Sequence, residues 1–510
     1  MSDLSAWRAL VDKELAGASF DKLVQKTAEG IALQPLYTER PDDPPPPGAA
    51  PFVRGAVLAP FELCMRVATG MDAKAELDAG ADALWCSSND VAAIEAARSR
   101  GCIAIVDGPG VTGENIWSAA DEVVAGARVQ PPSRCLRIST LPFHDAGADA
   151  ADELALGLSS LVATLHQLES AKLDLSAAAP LLWAQVAVGR DTFGEICKLR
   201  ALRVLWHKVL SAAGVAGSGL DAIHAVCSQR TLSTRDPWVN MLRVTTQVFA
   251  AALGGAQLVT PLPFDAAFAT PSALGQRVAR NTALVLREES LLGRVLDPGG
   301  GSYYLESRTD ALAREAWSRF TTIEREGGIV QLLRDNKLHA RLEASWKQRA
   351  AALAKRKEPV LGVSEFANLT ETLPGTPAAP AGVHRDSEAF EALRARVEAS
   401  PRSVAVIPLG LAKEYRARVG FAEGFFAVAG LRATPRELGP GLDVACICGS
   451  DERYATDAVA TVRALREAGA RTIVLAGRPG DLEADLRAAG VDAFIFVGCD
   501  VLATLEEVLA

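Results

Sequence analysis

Between residues 51 and 345, short apolar runs alternate with longer stretches whose apolar positions recur every three or four residues. The runs Asp82–Cys86, Cys102–Val106, Cys135–Ser139, Leu181–Val188, Ile223–Ser228 and Gln257–Leu262 are nearly continuous in apolar character. Strands covered on both faces need that pattern. The clearest helix lies over Thr192–Ala212, where Phe193, Ile196, Leu199, Leu202, Leu205, Trp206 and Val209 share a face. Asp191 stands where an N-cap belongs. A further strand near Val57 and one near Tyr303 bring the count to about eight βα units, the number that closes a barrel. From about residue 401 the pattern becomes β-α-β-α-β-α. Its strands are Val404–Leu409, Val444–Cys448, Thr472–Leu475 and Ala493–Val497, and its helices lie near Ala412–Ala427, Tyr454–Glu467, Leu482–Ala489 and Leu502–Leu509. That alternation specifies a doubly wound sheet, whose ligand loops follow the carboxyl ends of the strands: Gly410–Tyr415, Gly449–Arg453, Gly477–Gly480 and Gly498–Asp500.

The flanking segments complete the division. Residues 1–50 read as an N-terminal extension, with a helix around Trp7–Ala16 and a proline-rich stretch, Pro41–Pro47, that favours extended backbone. Residues 51–345 are the barrel. A long charged helical pattern covers 328–356, and Lys357–Arg385 has the Pro, Ala, Gly and Thr content of a linker. Residues 346–400 are thus helix and linker, and 401–510 the doubly wound domain.

Composition narrows the class. The 510 residues are 49% hydrophobic and 23% charged, as in soluble globular proteins, and exceed what one ordinary core serves. No apolar run is long enough to span a membrane, and the start lacks the layout of a secretory signal, so a cytoplasmic location is expected. The formal charge of −9 disfavours nucleic acid as a partner. Nine scattered cysteines without a CxxC pair fit a reducing compartment, and Cys446 and Cys448 read as small core residues. Gly108-Pro109-Gly110-Val111-Thr112-Gly113 matches a dinucleotide fingerprint, but no acidic residue ends the following strand, so a barrel loop is the better reading. His144 follows the strand Cys135–Ser139 and so stands at the end of a barrel where active sites lie. The alternative is a structural or capping histidine. His166, His207, His224, His339 and His384 have no ligand spacing. Asp297-Pro298-Gly299-Gly300-Gly301-Ser302 reads as a tight turn, with a binding role as the alternative.

Several stretches together resemble one family, the methylmalonyl-CoA mutases. They are Lys26-Thr27-Ala28-Glu29-Gly30-Ile31, Pro51-Phe52-Val53-Arg54-Gly55, Glu195-Ile196-Cys197-Lys198-Leu199-Arg200-Ala201-Leu202-Arg203 and Asp236-Pro237-Trp238-Val239-Asn240-Met241-Leu242-Arg243. Pro35-Leu36-Tyr37-Thr38, Arg277-Val278-Ala279-Arg280-Asn281-Thr282, Glu288-Glu289-Ser290, Gly293-Arg294-Val295-Leu296-Asp297-Pro298, Ser302-Tyr303-Tyr304-Leu305-Glu306-Ser307 and Gly362-Val363-Ser364-Glu365-Phe366 complete the set. The resemblance implies a (β/α)8 TIM-type barrel that wraps a coenzyme A chain, followed by a flavodoxin-like cobalamin domain. It also implies radical interconversion of methylmalonyl-CoA and succinyl-CoA, with adenosylcobalamin supplying the radical and the protein binding and orientation.

The departures from that family are specific. Its catalytic members carry Asp-x-His-x-x-Gly after the first strand of the cobalamin domain, the histidine ligating cobalt and the aspartate orienting it. Here the loop reads Gly410-Leu411-Ala412-Lys413-Glu414-Tyr415-Arg416-Ala417, and no histidine follows His384. Gly410, Lys413, Glu414 and Tyr415 therefore form a degenerate loop, and no cofactor or metal ligand is expected in this chain. The aromatic stretch that covers substrate after Arg-Gly is replaced by Ala56-Val57-Leu58-Ala59-Pro60. Phe143-His144 stands where catalytic members have a Tyr-His pair at the thioester. These departures resemble the small, non-catalytic (beta) subunit of the heterodimeric bacterial mutases. The resemblance then implies a catalytic large subunit as partner, with adenosylcobalamin bound by that subunit. His144 remains a catalytic candidate, and Arg230, Asn240 and Arg243 are candidates for binding acyl-CoA. The alternatives are a self-sufficient acyl-CoA mutase and an acyl-CoA-binding regulatory or structural module.

Overall fold

In the computed structural model, the apolar runs of the first part become a parallel sheet. The described residues are 4–39, 41, 44–56, 58–68, 71–87, 89–100, 102–107, 136–215, 217, 219–220, 222–378, 382–436 and 442–509. A short antiparallel pair, β1 (Gln25–Lys26) and β2 (Ala32–Leu33), precedes the sheet. Its seven strands are β3 (Glu62–Arg66), β4 (Ala83–Ser87), β5 (Ile103–Asp107), β6 (Leu136–Ser139), β7 (Leu182–Val188), β8 (Ile223–Cys227) and β9 (Leu258–Thr260). They lie in the order β5-β4-β3-β9-β8-β7-β6, all parallel, with register pairs such as Cys64↔Ala83, Leu63↔Val259 and Ala184↔Ile223. Every residue of β7 and β8 is buried, which explains apolar runs broken only by Gln185 and His224. The sheet curls. Trp85 of β4 and His224 of β8 are separated by two intervening strands, yet their rings meet at 5.7 Å on the concave side.

Three expectations need correction. The strand expected near Val57 lies at Glu62–Arg66. The strand expected near Tyr303 is instead a 23-residue helix, Tyr303–Arg325, whose N-cap Ser302 accepts from the Leu305 amide at 3.4 Å. Its buried Leu305, Leu312, Ala316, Phe320 and Ile323 recur at helical spacing. The helical pattern over 328–356 divides into Gly328–Arg334 and Lys337–Ala354, with Asn336 between them at φ +55°. The Gly108–Gly113 motif lies outside the described residues.

The second sheet contains β10 (Val404–Pro408), β11 (Ala433–Pro435), β12 (Val444–Cys448), β13 (Thr472–Ala476) and β14 (Ala493–Ile495). Its order is β11-β10-β12-β13-β14, all parallel. That order, 2-1-3-4-5, is the flavodoxin-like one. Alternate residues serve two cores. Val404, Val406, Cys446, Cys448 and Val474 join Phe425, Phe426, Phe390 and Leu505, while Ala405, Ile407, Ile447, Ile473 and Leu475 join Val462, Leu465 and Leu486. Strand β11 carried no recognisable run because it is three residues long and ends in proline.

By packing, the chain forms two units. One contains Met1–Ser228, Val244–Leu262 and Arg277–Ser345; the other contains Gln229–Arg243, Pro263–Gln276 and Trp346–Ala510. Segments that follow β8 and β9 in sequence thus belong with the C-terminal sheet. Within this second unit, Val360, Val363 and Ser364, in a stretch of linker-like composition, are buried. No helix among the described residues is long and apolar enough to cross a membrane.

Candidate functional site

His144 lies on the short helix Leu141–Asp145, which begins two residues after β6 ends. It is buried. Its Nδ1 stands 3.3 Å from Glu153 Oε2, and its Nε2 stands 2.7 Å from Ser228 Oγ. A carboxylate only accepts, so Nδ1 carries the proton and, in the neutral ring, Nε2 accepts from the serine hydroxyl. Glu153, in the helix Ala150–Ser170, also accepts from Thr140 Oγ1 at 2.6 Å and from Lys198 Nζ at 2.9 Å. Lys198 pairs in turn with Glu195 at 2.7 Å and donates to the Ala187 carbonyl at 2.8 Å. Burial alone raises a carboxyl pKa, but the Lys198 charge and the His144 and Thr140 hydrogen bonds outweigh it and hold Glu153 well below its usual range. Burial raises Glu195, with Lys198 opposing. Lys198 itself is held above the usual range because its two carboxylates outweigh desolvation.

Serine, histidine and glutamate are thus in line, with the geometry of a nucleophile, a base and an orienting group. The constellation is closed, however. Ser228, His144 and Glu153 are 2%, 2% and 1% exposed, so a reacting carbonyl has no approach to Ser228 Oγ in this arrangement. Every member instead satisfies another buried polar group. Sequence reasoning identified only His144. The signal for Glu153 and Lys198 was a charged residue on the apolar face of each long helix.

A second polar line crosses the concave side of the first sheet. Ser139 Oγ donates to Gln185 Oε1 (2.9 Å), Gln185 Nε2 donates to His224 Nδ1 (3.0 Å), and His224 Nε2 donates to Thr260 Oγ1 (2.7 Å). Trp183 stacks on His224 with centroids 5.9 Å apart. Burial and then the Arg137 charge push the His224 pKa down to about 3, so the ring is neutral and one nitrogen is free to accept. Trp85, Trp183 and His224 place three large rings within this concavity.

Arg230, Asn240 and Arg243 belong to the second unit, whereas His144 belongs to the first. Asn240 is fully buried and its amide is committed. Its Nδ2 donates to the Ser233 and Phe264 carbonyls, both at 2.8 Å, and its Oδ1 accepts from Ser233 N at 3.1 Å and Arg243 Nη1 at 2.7 Å. Arg243 Nη2 donates to the Leu361 carbonyl at 2.6 Å. Arg230 lies buried in the turn Gln229–Thr231. Within that unit, Asn240 and Arg243 organise loops.

In the second sheet the connection from β10 to the helix Ala412–Ala427 is only Leu409-Gly410-Leu411. Gly410 takes φ +82°, and a Cβ there would collide with Glu414. Glu414 Oε2 accepts from the Leu411 amide at 2.5 Å, and Oε1 pairs with Arg453 Nε at 3.4 Å. Tyr415 packs against the core. The adjacent strand ends are filled as well. Tyr454 donates its hydroxyl to the Ala476 carbonyl at 2.7 Å and accepts from Gly449 N at 2.9 Å, while Arg418 lies over its ring at 4.7 Å. Glu414, in the first turn of that helix, is therefore engaged by its neighbours. Among the described residues, no group of three or more His, Cys, Asp or Glu is placed to hold a metal ion.

Comparison with known proteins gives a consistent set of relatives. The family model described as methylmalonyl-CoA mutase matches residues 118–406. A methylmalonyl-CoA mutase small subunit from Streptomyces virginiae is 35% identical, the match covering 99% of this chain and 96% of that one. The small subunit from Propionibacterium freudenreichii subsp. shermanii is 36% identical over 75% of this chain and 64% of its own length. A probable small subunit from Mycobacterium tuberculosis is 40% identical over 70% of this chain; the match spans 62%, less than two thirds, of that relative. A large subunit from Porphyromonas gingivalis is 32% identical over 46% of this chain.

Proposed function

This chain belongs to the methylmalonyl-CoA mutase family, and we propose that within it the chain is the non-catalytic small subunit of a heterodimer. In this reading a catalytic large subunit binds adenosylcobalamin and isomerises methylmalonyl-CoA and succinyl-CoA. The observation that carries the reading is the β10 connection. A three-residue turn stands in place of a ligand loop, and the nearest following carboxylate, Glu414 in the first turn of the helix, is spent on Leu411 N and Arg453. A corrin bound there would have no axial ligand from this loop.

The seven-stranded sheet is read as the greater part of a (β/α)8 barrel. Trp85, Trp183 and His224 occupy the concavity through which an acyl-CoA chain would pass, and His144, the remaining catalytic candidate, is locked between Glu153 and Ser228. On this reading the barrel stabilises its partner and takes no acyl-CoA along its axis. The decisive experiment is co-expression with a catalytic large subunit, followed by size exclusion, corrinoid absorbance and turnover. A complex active only with both chains, with no corrinoid absorbance on this chain alone, is the expected result. A corrinoid spectrum and turnover from this chain alone would establish a self-sufficient mutase and reject the proposal.

A further inference from the structure

A cavity of about 150 Å³ lies at the amino-terminal end of the first sheet, beside the start of β3 and the residue before β9. Its walls include Arg54, Glu62, Arg203, Gly255, Val295 and Asp297. Arg203, from the helix Thr192–Ala212, is 3% exposed. Its Nε and Nη2 both donate to one acceptor, the Val53 carbonyl, at 3.4 and 3.2 Å, and its Nη1 has no hydrogen-bond partner among the described residues. This nitrogen would lie 3.3 Å from a Cβ on Gly255, itself a wall of the cavity at φ +77°. Any larger residue there would crowd the guanidinium.

Among the described residues no carboxylate bonds to Arg203, and Asp297 acts on its charge only from a distance. Asp297 is shared by Arg200 and by Arg54 Nε, the latter at 2.9 Å, and Arg200 also holds Glu306 at 2.5 Å. Glu62 is exposed at the start of β3. An arginine does not deprotonate in a protein, and a buried charge whose one acceptor is a neutral carbonyl is costly. Burial, the largest influence, pulls the Arg203 pKa down to about 10, with Asp297 opposing it and Arg200 adding to it.

We propose that this cavity is an oxyanion site: one phosphate or carboxylate group seated with an oxygen on Arg203 Nη1 and its charge shared with the Arg54 guanidinium. Planar guanidinium donors suit such groups. The volume is below the roughly 300 Å³ at which pockets for drug-sized ligands begin. The occupant is therefore a single anionic group, either a free ion or the end of a longer molecule that remains outside. The site needs neither cobalamin nor a partner subunit, so it stands apart from the subunit role proposed above.

The test is thermal unfolding of the full chain in low-millimolar potassium phosphate against potassium chloride at equal ionic strength, where general exclusion effects of phosphate are small. Parallel titrations use acetate and adenosine 3′,5′-bisphosphate. A saturable rise in Tm with phosphate, absent with chloride, is expected, and it should be lost in Arg203→Met. Val295 is exposed on the rim, so Val295→Glu should fold normally while its carboxylate competes for the site, weakening phosphate at least tenfold. That variant decides the matter if Arg203→Met fails to fold. A larger response to the bisphosphate than to phosphate identifies the group as the end of a nucleotide; the reverse identifies the free ion. Equal Tm in phosphate, acetate, bisphosphate and chloride, or a phosphate response unchanged in Val295→Glu, would overturn the proposal.

Discussion

At the residue scale, one group of buried charges is tied together around Lys198. It holds Glu153 at 2.9 Å and Glu195 at 2.7 Å, with all three in or beside the core. Lys198→Met would leave two carboxylates without their cation, and we expect it to cost about 3–5 kcal/mol in urea unfolding. His224 gives a pH-dependent counterpart. Its folded pKa of about 3 lies below the unfolded value of about 6.5, so the unfolded chain takes up the proton first. The stabilisation is complete above about pH 6.5 and is lost as pH falls toward 3, at about 1.4 kcal/mol per pH unit. Glu153 does not confuse the upper part of that window, because it is ionised in both states down to its unfolded value near 4.5. Between pH 6.5 and 5 the wild-type chain should therefore lose stability more steeply than His224→Gln. Parallel slopes would exclude the neutral buried ring.

At the element scale, helix and strand positions follow from spacing, whereas their ends follow from single polar side chains. Asp191 Oδ1 accepts from Gly194 N at 3.0 Å and caps the helix Thr192–Ala212 where the sequence placed it. Asp191→Ala should cost about 1–2 kcal/mol, read by the same unfolding assay, and it would also remove the carboxylate partner of Arg308. The helix Tyr303–Arg325 was misread for a related reason. Three glycines followed by Ser302-Tyr303-Tyr304-Leu305 resemble a turn and an aromatic strand. The decisive interaction, Ser302 Oγ to Leu305 N, is local, but the burial that rewards a helix comes from packing against the helices Ala150–Ser170 and Thr192–Ala212. Strand β11 shows the converse: three residues with one proline become a strand because the edge of β10 offers them a ladder.

At the scale of the whole molecule, the N-terminal segment stands out. The helix Leu4–Leu15 buries none of its residues, and Leu4 and Leu10 remain exposed. Its aromatic contacts are local, Trp7 with Phe20 and Arg8 over Phe20. On the subunit reading this helix is covered by the partner. Deleting residues 1–24 should abolish co-purification with a large subunit in size exclusion while leaving the unfolding midpoint of the isolated chain unchanged. A heterodimer that survives the deletion would remove the arm from the interface.

By itself the sequence determined the alternation of strands and helices, the placing of β7, β8, β12 and the helices Thr192–Ala212 and Ala412–Ala427, and the loss of any histidine after His384. These depend on periodicity and residue identity, which are local and need no neighbour. Only the tertiary structure decided what the polar residues do. His144 and Ser228 lie 84 positions apart, and Arg203 and Val53 lie 150 apart. Nothing in linear spacing says that the first pair closes a buried network while the second leaves a guanidinium nitrogen facing a cavity. Hydrogen bonding and desolvation act over a few ångströms in space, so these outcomes are settled where the chain folds back on itself.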